Sequence, residues 1–422
     1  MAERGAGPDL VAEVFRAEAG RALATVARLT GDLGRAEDAV QEAFVMALRR
    51  WPTTGVPDRP GAWITTTARN RALDVLRREA RRPEREAVAA RSALEASPPI
   101  LHPVADDQLR LMFTCCHPAL ASDARVELTL RLVCGLRVAE IARALLRGEE
   151  AVAKRIQRAK IKIRDAGIPL RVPPPELLTE RLASVLDCVY LTFTEGYAAT
   201  AGDELICHEL CDEAIRLARL LVALMPGEVG AEALLALLLL QDSRRATRID
   251  TEGGIVLLAD QDRAAWDHDR IAEGLARLDQ AARHQQLSAG AAAYLLQAAI
   301  AAEHARAASW SATDWPAIVG HYDQLVALTP SPAVALNRAV AVSYADGPAV
   351  ALPMLDALAG DARLASSHRL YAARADVRRR LGRAGEARAL YIDALALAPT
   401  GPERALFLSR LAELDVEVAA RS

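Results

Sequence analysis

Apolar side chains recur at three- and four-residue intervals along almost the whole chain, whereas one-by-one alternation is scarce, so the pattern predicts helices and almost no strand. Within RAEDAVQEAFVMALRRW, positions Ala36, Val40, Phe44, Ala47 and Trp51 form one apolar stripe, and Asp38, Gln41, Glu42 and Val45 take the opposite side. AWITTTARNRALDVLRRE repeats the arrangement: Ile64, Ala68, Ala72 and Leu76 line up, and Arg69, Asn70, Asp74, Arg77 and Arg78 turn outward. Farther on, LTLRLVCGLRVAEIARALLRGEEAVAKRIQRAKIKIRDAG reads as a helix, a turn at Gly135, a helix over 138–146, a second turn at Arg147 and Gly148, and a long final helix. Val152, Ile156, Ala159 and Ile163 make the inward stripe of that last helix. The expected fold class is all-α.

The period lapses twice. Residues 77–107 lose their apolar spacing and collect prolines, and no helix continues through Pro173, Pro174 and Pro175. Three parts follow, over 8–82, 107–172 and 177–422, with a linker over 83–106. The third part is repetitive. LMP, LTP and LAP end at Pro226, Pro330 and Pro399, intervals of 104 and 69 residues, close to three and two units of about 34 residues. Ala387, Tyr391, Ala394 and Pro399 match the small, aromatic, small and proline positions of the second helix of a tetratricopeptide unit; Tyr322 and Ala214 each repeat one of them. The reading is an α-solenoid whose stacked helix pairs offer a groove to a protein or peptide.

Composition and charge narrow the function. Over 422 residues the net charge is −3, so no global field draws the chain to a polyanion and any such contact depends on local faces. Two exist. Residues 61–82 hold six Arg against two acids, and residues 152–166 hold six basic side chains against Asp165. Within a Debye length of about 10 Å these excesses are what a phosphate backbone feels. The stretch PTTGVPDRPG, 52–61, is expected to be a loop able to wrap an unstacked base, and Trp63 is expected in the core. The helix over 152–166, placed second in a helix-turn-helix, fits a major groove, with Lys154, Arg155, Gln157 and Arg158 as the candidates for bases and nearby phosphates. Glu149 and Glu150 suit a helix N-terminus but oppose phosphate there.

Other chemistries find no support. CCH at 115–117 and CHELC at 207–211 lack paired metal-ligand spacing, so the six cysteines are read as small buried hydrophobes and no metal or other cofactor is expected. The chain has no phosphate-binding glycine loop, nucleophile elbow or paired-histidine zinc helix, so no catalytic residue is assigned and an enzyme is not expected. With no run of eighteen uncharged apolar residues and no signal-peptide pattern, the expectation is a cytoplasmic protein without membrane contact.

AEDAVQEAF followed by PGAWITTTARNRALDVLRRE is similar to the region-two core of bacterial RNA polymerase sigma factors, and the helix-turn-helix part resembles their region four. Their order and spacing resemble the compact extracytoplasmic-function (ECF) sigma factors. FTCCHPAL, EIARALL, RAKIKIRDAGIPLRVP, EGY and the QD loop extend the likeness to an ECF subgroup with a fused tetratricopeptide-like extension. The resemblance implies that Asp38, Gln41 and Glu42 grip the coiled-coil clamp of the core RNA polymerase's largest subunit. It further implies that the 52–61 loop with Asn70 captures a flipped base of the minus-ten element, that Arg69, Arg77 and Arg78 hold promoter phosphates, and that region four reads the minus-thirty-five element. In that subgroup the extension is expected to control activity in place of a dedicated anti-sigma protein, with small DGPF-motif proteins as genomic neighbours. An extended 83–106 linker reaches at most roughly 80 Å, enough for promoter elements about 50–70 Å apart. The alternative is a helix-turn-helix transcriptional regulator with a helical-repeat sensor, which needs duplex binding alone.

One stretch interrupts the repeat. QDSRRATRIDTEGGIVLLADQDRAAWD, 241–267, carries Arg244, Arg245 and Arg248 among acids. Long connections of this kind either hold surface ion pairs or contact a ligand or partner, and these three arginines are the candidates for such a contact. FTEGY, 193–197, is a lesser candidate.

Overall fold

The computed structural model describes residues 8–80, 107–145, 147–198, 206–284 and 286–419; the linker expected over 83–106 lies outside them. The chain divides into two compact units at Thr192 and Phe193. The architecture is all-α, and the single bridge between Ile249 and Ile255 is the β pairing found among the described residues.

The first unit opens with α1 (Pro8–Thr30), α2 (Leu33–Thr54) and α3 (Pro60–Ala80), each packed on the other two. Gly31, at φ 67°, turns the chain after α1, and the Asp32 carboxylate accepts from the Arg35 N–H at 3.0 Å to cap α2. The predicted stripe is buried: Ala36, Val40, Phe44, Ala47 and Trp51 face Ile64, Ala68 and Ala72. Trp63 packs edge-on against the buried Trp51 at 5.5 Å, which makes it a core support, and Phe15 does the same to Phe44 at 4.9 Å. The loop is shorter than 52–61. α2 continues past Pro52 to Thr54, and the Thr53 and Thr54 hydroxyls both donate to the Arg50 carbonyl, at 2.9 and 3.0 Å. Gly55, at φ 80°, then closes the turn on the Trp51 carbonyl.

The same unit continues with α4 (Asp107–Cys115), α5 (Ser122–Leu132), α6 (Val138–Ala144) and α7 (Glu149–Asp165). Gly135, at φ 70°, supplies the turn between α5 and α6, and α7 packs on both, burying Val152, Ile156, Ala159 and Ile163. Helix α8 (Pro175–Tyr197) belongs here over most of its length: Leu182, Val185, Leu186 and Val189 are buried, and Arg181 donates to the Phe113 carbonyl at 3.1 Å. Cys134 and Thr192 bond at 2.9 Å.

The second unit is a succession of antiparallel helices: α9 (His208–Leu224), α10 (Val229–Asp242), α11 (His268–Ala282), α12 (Ala289–Arg306), α13 (Trp315–Leu328), α14 (Pro332–Ala345), α15 (Pro348–Leu358), α16 (His368–Arg380), α17 (Ala384–Leu397) and α18 (Gly401–Ala419). The leucine-rich α10 is apolar on every side and buried throughout, so it must be wrapped, and α9, α11 and α12 wrap it. Beyond it the core is a chain of local clusters. Ile300, Ile318, Leu325 and Ala341 join α12 to α14; Leu336, Leu355, Leu370 and Val377 join α14 to α16; Ala375, Ala387, Tyr391, Ala394 and Phe407 join α16 to α18. Cores shared only between neighbours are the packing of a helical-repeat solenoid, and Ala387, Tyr391 and Ala394 occupy the buried positions that their spacing predicts.

Candidate nucleic-acid interface

On the outer face of α2, Asp38 and Gln41 are exposed and make no hydrogen bond or ion pair among the described residues. Val45 and Leu48 extend that face and are 44% and 45% exposed. Acid, amide and bare aliphatic on one helix side form an amphipathic surface suited to a protein partner. Glu42 is paired with Arg71 across the α2–α3 seam, and this bond is the main reason the Arg71 guanidinium is held above its usual basicity. Arg71 thereby fixes the two faces relative to each other.

On α3, Arg69 and Asn70 stand exposed with no internal partner among the described residues. Arg77 lies 3.8 Å from Asp74, and Arg78 donates to the Asp74 carbonyl at 3.3 Å; both remain open to solvent. Where α3 begins, an open groove of about 530 Å³ is lined by Arg21, Arg59, Pro60, Thr65 and Thr66 together with one acid, Glu18, which lies 3.5 Å from Arg21. Hydroxyls and guanidiniums around such a groove can donate to a base edge and its phosphate.

The face of α7 is less uniform than its sequence suggests. Gln157 and Arg158 are exposed and unpaired among the described residues, whereas Lys154 pairs with Glu150 at 2.5 Å in an exposed i,i+4 contact that phosphate can displace. Arg155 is held inward. Its Nε and Nη2 donate to the fully buried Glu127 of α5 at 2.6–2.9 Å, and Arg147 from the α6–α7 turn reaches the same carboxylate at 3.0 Å. That triad ties the helix-turn-helix together. Sequence reasoning missed Glu127, although an acid between the buried Ala124 and Leu128 of α5 is itself the signal.

The two surfaces meet within this unit. Lys160 of α7 pairs with Glu37 of α2 at 2.6 Å, Arg28 of α1 pairs with Asp107 of α4 at 2.9 Å, and a Cβ on Gly20 would lie 1.9 Å from the Val133 carbonyl oxygen. Gln41 lines a cleft of about 40 Å³ whose far wall is Arg131, Leu132 and Gly135.

In the second unit, Arg245 is occupied: it donates to Asp242 and to Asp212 at 2.7 Å, and Arg270 also holds Asp242. Arg248 lies over the Tyr197 ring at 3.8 Å and donates to the Tyr197 carbonyl, so the 241–267 connection and the FTEGY segment are one cluster. Arg244 stands 5.7 Å from the same ring. Among the described residues no group of three or more His, Cys, Asp or Glu side chains is placed to hold a metal. Burial pushes the Cys115 thiol well up, and a neighbouring Cys116 together with burial does the same to Cys188. No helix among the described residues is long and apolar enough to cross a membrane.

Family comparison matches Sigma-70 region 2 over residues 14–82, Sigma-70 region 4 over 110–163, and a family of unknown function over 181–282. An uncharacterized protein of Rhizobium meliloti is 44% identical over 94% of both chains. A probable ECF RNA polymerase sigma factor SigI of Mycobacterium tuberculosis is 30% identical over 40% of this chain and 59% of its own length. The ECF RNA polymerase sigma factor SigJ of the same organism is 34% identical over 32% of this chain and 43% of its own.

Proposed function

This chain belongs to the extracytoplasmic-function RNA polymerase sigma factors, and from that membership we propose that it docks on core polymerase through α2, opens and reads the minus-ten element through α3, and reads the minus-thirty-five element through α7. The observation that carries the reading is the division of labour between adjacent helices. The free Asp38–Gln41–Val45–Leu48 face of α2 suits a protein, and the free Arg69 and Asn70 face of α3, with a groove of arginines, threonines and one acid at the start of that helix, suits an unstacked strand. Extruding a base costs a few kcal/mol, which pocket contacts offset, so sequence is read during opening and no catalytic group is required.

On α7 the assignment falls on Gln157, Arg158 and Lys154, with Arg155 placing them through Glu127. Promoter elements lie about 50–70 Å apart. The Lys160–Glu37 contact brings the two reading modules together, so they must separate on the promoter. The helical extension regulates that activity, its solenoid groove receiving a protein or peptide; supporting this, the likeness to the Rhizobium protein runs through the extension as well as the promoter-reading part.

The test is transcription in vitro with purified core polymerase on sheared genomic DNA, comparing the full chain with one ending after Tyr197, which keeps α8 whole. Discrete core-dependent start sites are expected. Their restriction to the short form makes the extension inhibitory, and their restriction to the full chain makes it an activator. Duplex binding without transcripts from either form overturns the reading in favour of an ordinary regulator.

A further inference from the structure

We propose that Arg244, Arg248 and Arg263 form a binding site for the phosphate group of a small ligand, seated against Tyr197, Trp266 and His304. The site deepens the regulatory reading of the extension by naming its ligand's chemistry, and its test needs no polymerase.

The charge is uncompensated, unlike that of three arginines on the neighbouring helices and connection. Arg245 and Arg270 share Asp242, and Arg277 has Glu232 at 3.2 Å. The three site arginines have neutral partners. Arg263 donates to the carbonyls of His304 and Ala307 at 2.6 and 2.7 Å and to the Thr313 hydroxyl at 3.1 Å. Arg248 has the Tyr197 carbonyl and ring, and the Arg244 guanidinium has no hydrogen bond or ion pair among the described residues. Burial lowers the basicity of Arg248 and Arg263, and in both Arg244 adds to the effect as a like charge. Burial, then Arg244 and Arg263, bring His304 down to about 4. Partly buried guanidiniums that repel one another are a standing cost, which a bound anion offsets.

Buried polar atoms without partners occur on the residues that these arginines touch. Tyr197 Oη and Trp266 Nε1 are buried without a hydrogen-bond partner, on residues only 8% and 4% exposed, and His304 Nδ1 is a third such atom. Arg248 lies over Tyr197, and Arg263 lies 5.0 Å over Trp266 and bonds to His304, so the orphaned atoms sit on the residues that carry the arginines. Native folds rarely leave such groups unpaired, and each asks for an explanation. Guanidinium, phenol and indole groups donate, so the complementary ligand is rich in acceptors. A phosphate dianion balances three guanidiniums more fully than one carboxylate, and the arginine fork matches its geometry.

The experiment titrates the full chain with inorganic phosphate and with pyrophosphate by calorimetry, at constant ionic strength in chloride. Saturable binding is expected, weakened about tenfold or more in Arg244→Ala by loss of a charge-assisted contact, and unchanged in Arg388→Ala, which removes an exposed arginine paired with Asp415 on another helix pair of the extension. Ligand-free Arg244→Ala should melt no lower than the parent, because it relieves repulsion; a merely structural arginine would lower the melting temperature. Absence of saturable binding, equal binding by Arg244→Ala, or binding of oligoglutamate without pyrophosphate each overturns the proposal. Loss of transcription in vitro with phosphate binding intact would sink the sigma-factor reading and leave this site standing.

Discussion

The basic face of α7 and the arginine cluster around Tyr197 use the same chemistry in opposite states. On α7 the cations that remain outward are solvated or paired with an exposed neighbour, as Lys154 is with Glu150, and they lose little when phosphate replaces that neighbour. In the extension, Arg244, Arg248 and Arg263 are half-buried with neutral partners, so their charge is stored rather than solvated. Burial without a counter-charge distinguishes a pocket awaiting one anion from a surface that slides along many. The buried carboxylates Glu127 and Asp242 mark a third state, in which arginines are consumed to hold elements together.

The sharpest break comes from removing such an anchor. Glu127→Ala leaves Arg155 unpaired and Arg147 with Asp123 alone, and should destabilise the first unit by about 3 kcal/mol in urea unfolding; a change within experimental error would show that the buried carboxylate is not what ties the helix-turn-helix together. Next in size is the pH response of the extension. With His304 held at about 4 against an ordinary 6.5, the unfolded chain takes up the proton first as pH falls. His304 therefore contributes stability that is complete above about pH 6.5 and drains away toward pH 4, by about 2 kcal/mol at most after allowance for its residual exposure. Unfolding midpoints of the parent and His304→Phe, followed from pH 7 to 4.5, should diverge in that direction, and parallel curves would contradict the burial and, after it, the positive field that hold His304 neutral.

A smaller effect separates the arginines of α7. Arg158→Ala should weaken minus-thirty-five duplex binding by about 1 to 2 kcal/mol and flatten the salt dependence by about one unit of slope, with folding unchanged. Arg155→Ala should act first on stability, through Glu127. The reverse allocation would show that Arg155 reads DNA directly. Least is expected of Lys160→Ala, which removes one partly buried pair worth under about 1 kcal/mol and should enlarge the radius measured by small-angle scattering without altering melting.

Much of this was legible in order along the chain. The stripes through Ala36–Trp51, Ile64–Ala72 and Val152–Ile163 are buried as their period requires, because a helix face is set by residues three and four apart. The outward position of Asp38, Gln41, Asn70 and Arg158 follows from the same geometry. The loop is shorter than 52–61 because α2 runs through Pro52 to Thr54 and ends at Gly55, and proline spacing does not report that a helix tolerates a proline in its last turn.

The sequence by itself determined the helices, their buried sides, the succession of two sigma modules and a repeat array, and the family, since all of these depend on short-range spacing and on motif order. Tertiary structure alone decided which charges are spent and which are kept. Arg155 is committed by an acid in another helix, and Arg245 by Asp212 and Asp242. Arg263 and Arg244 acquire meaning only because folding sets the first against the His304 carbonyl and the second near the Tyr197 ring. Electrostatic fate depends on distance and burial in space, and residues far apart in sequence acquire both only when the apolar faces close.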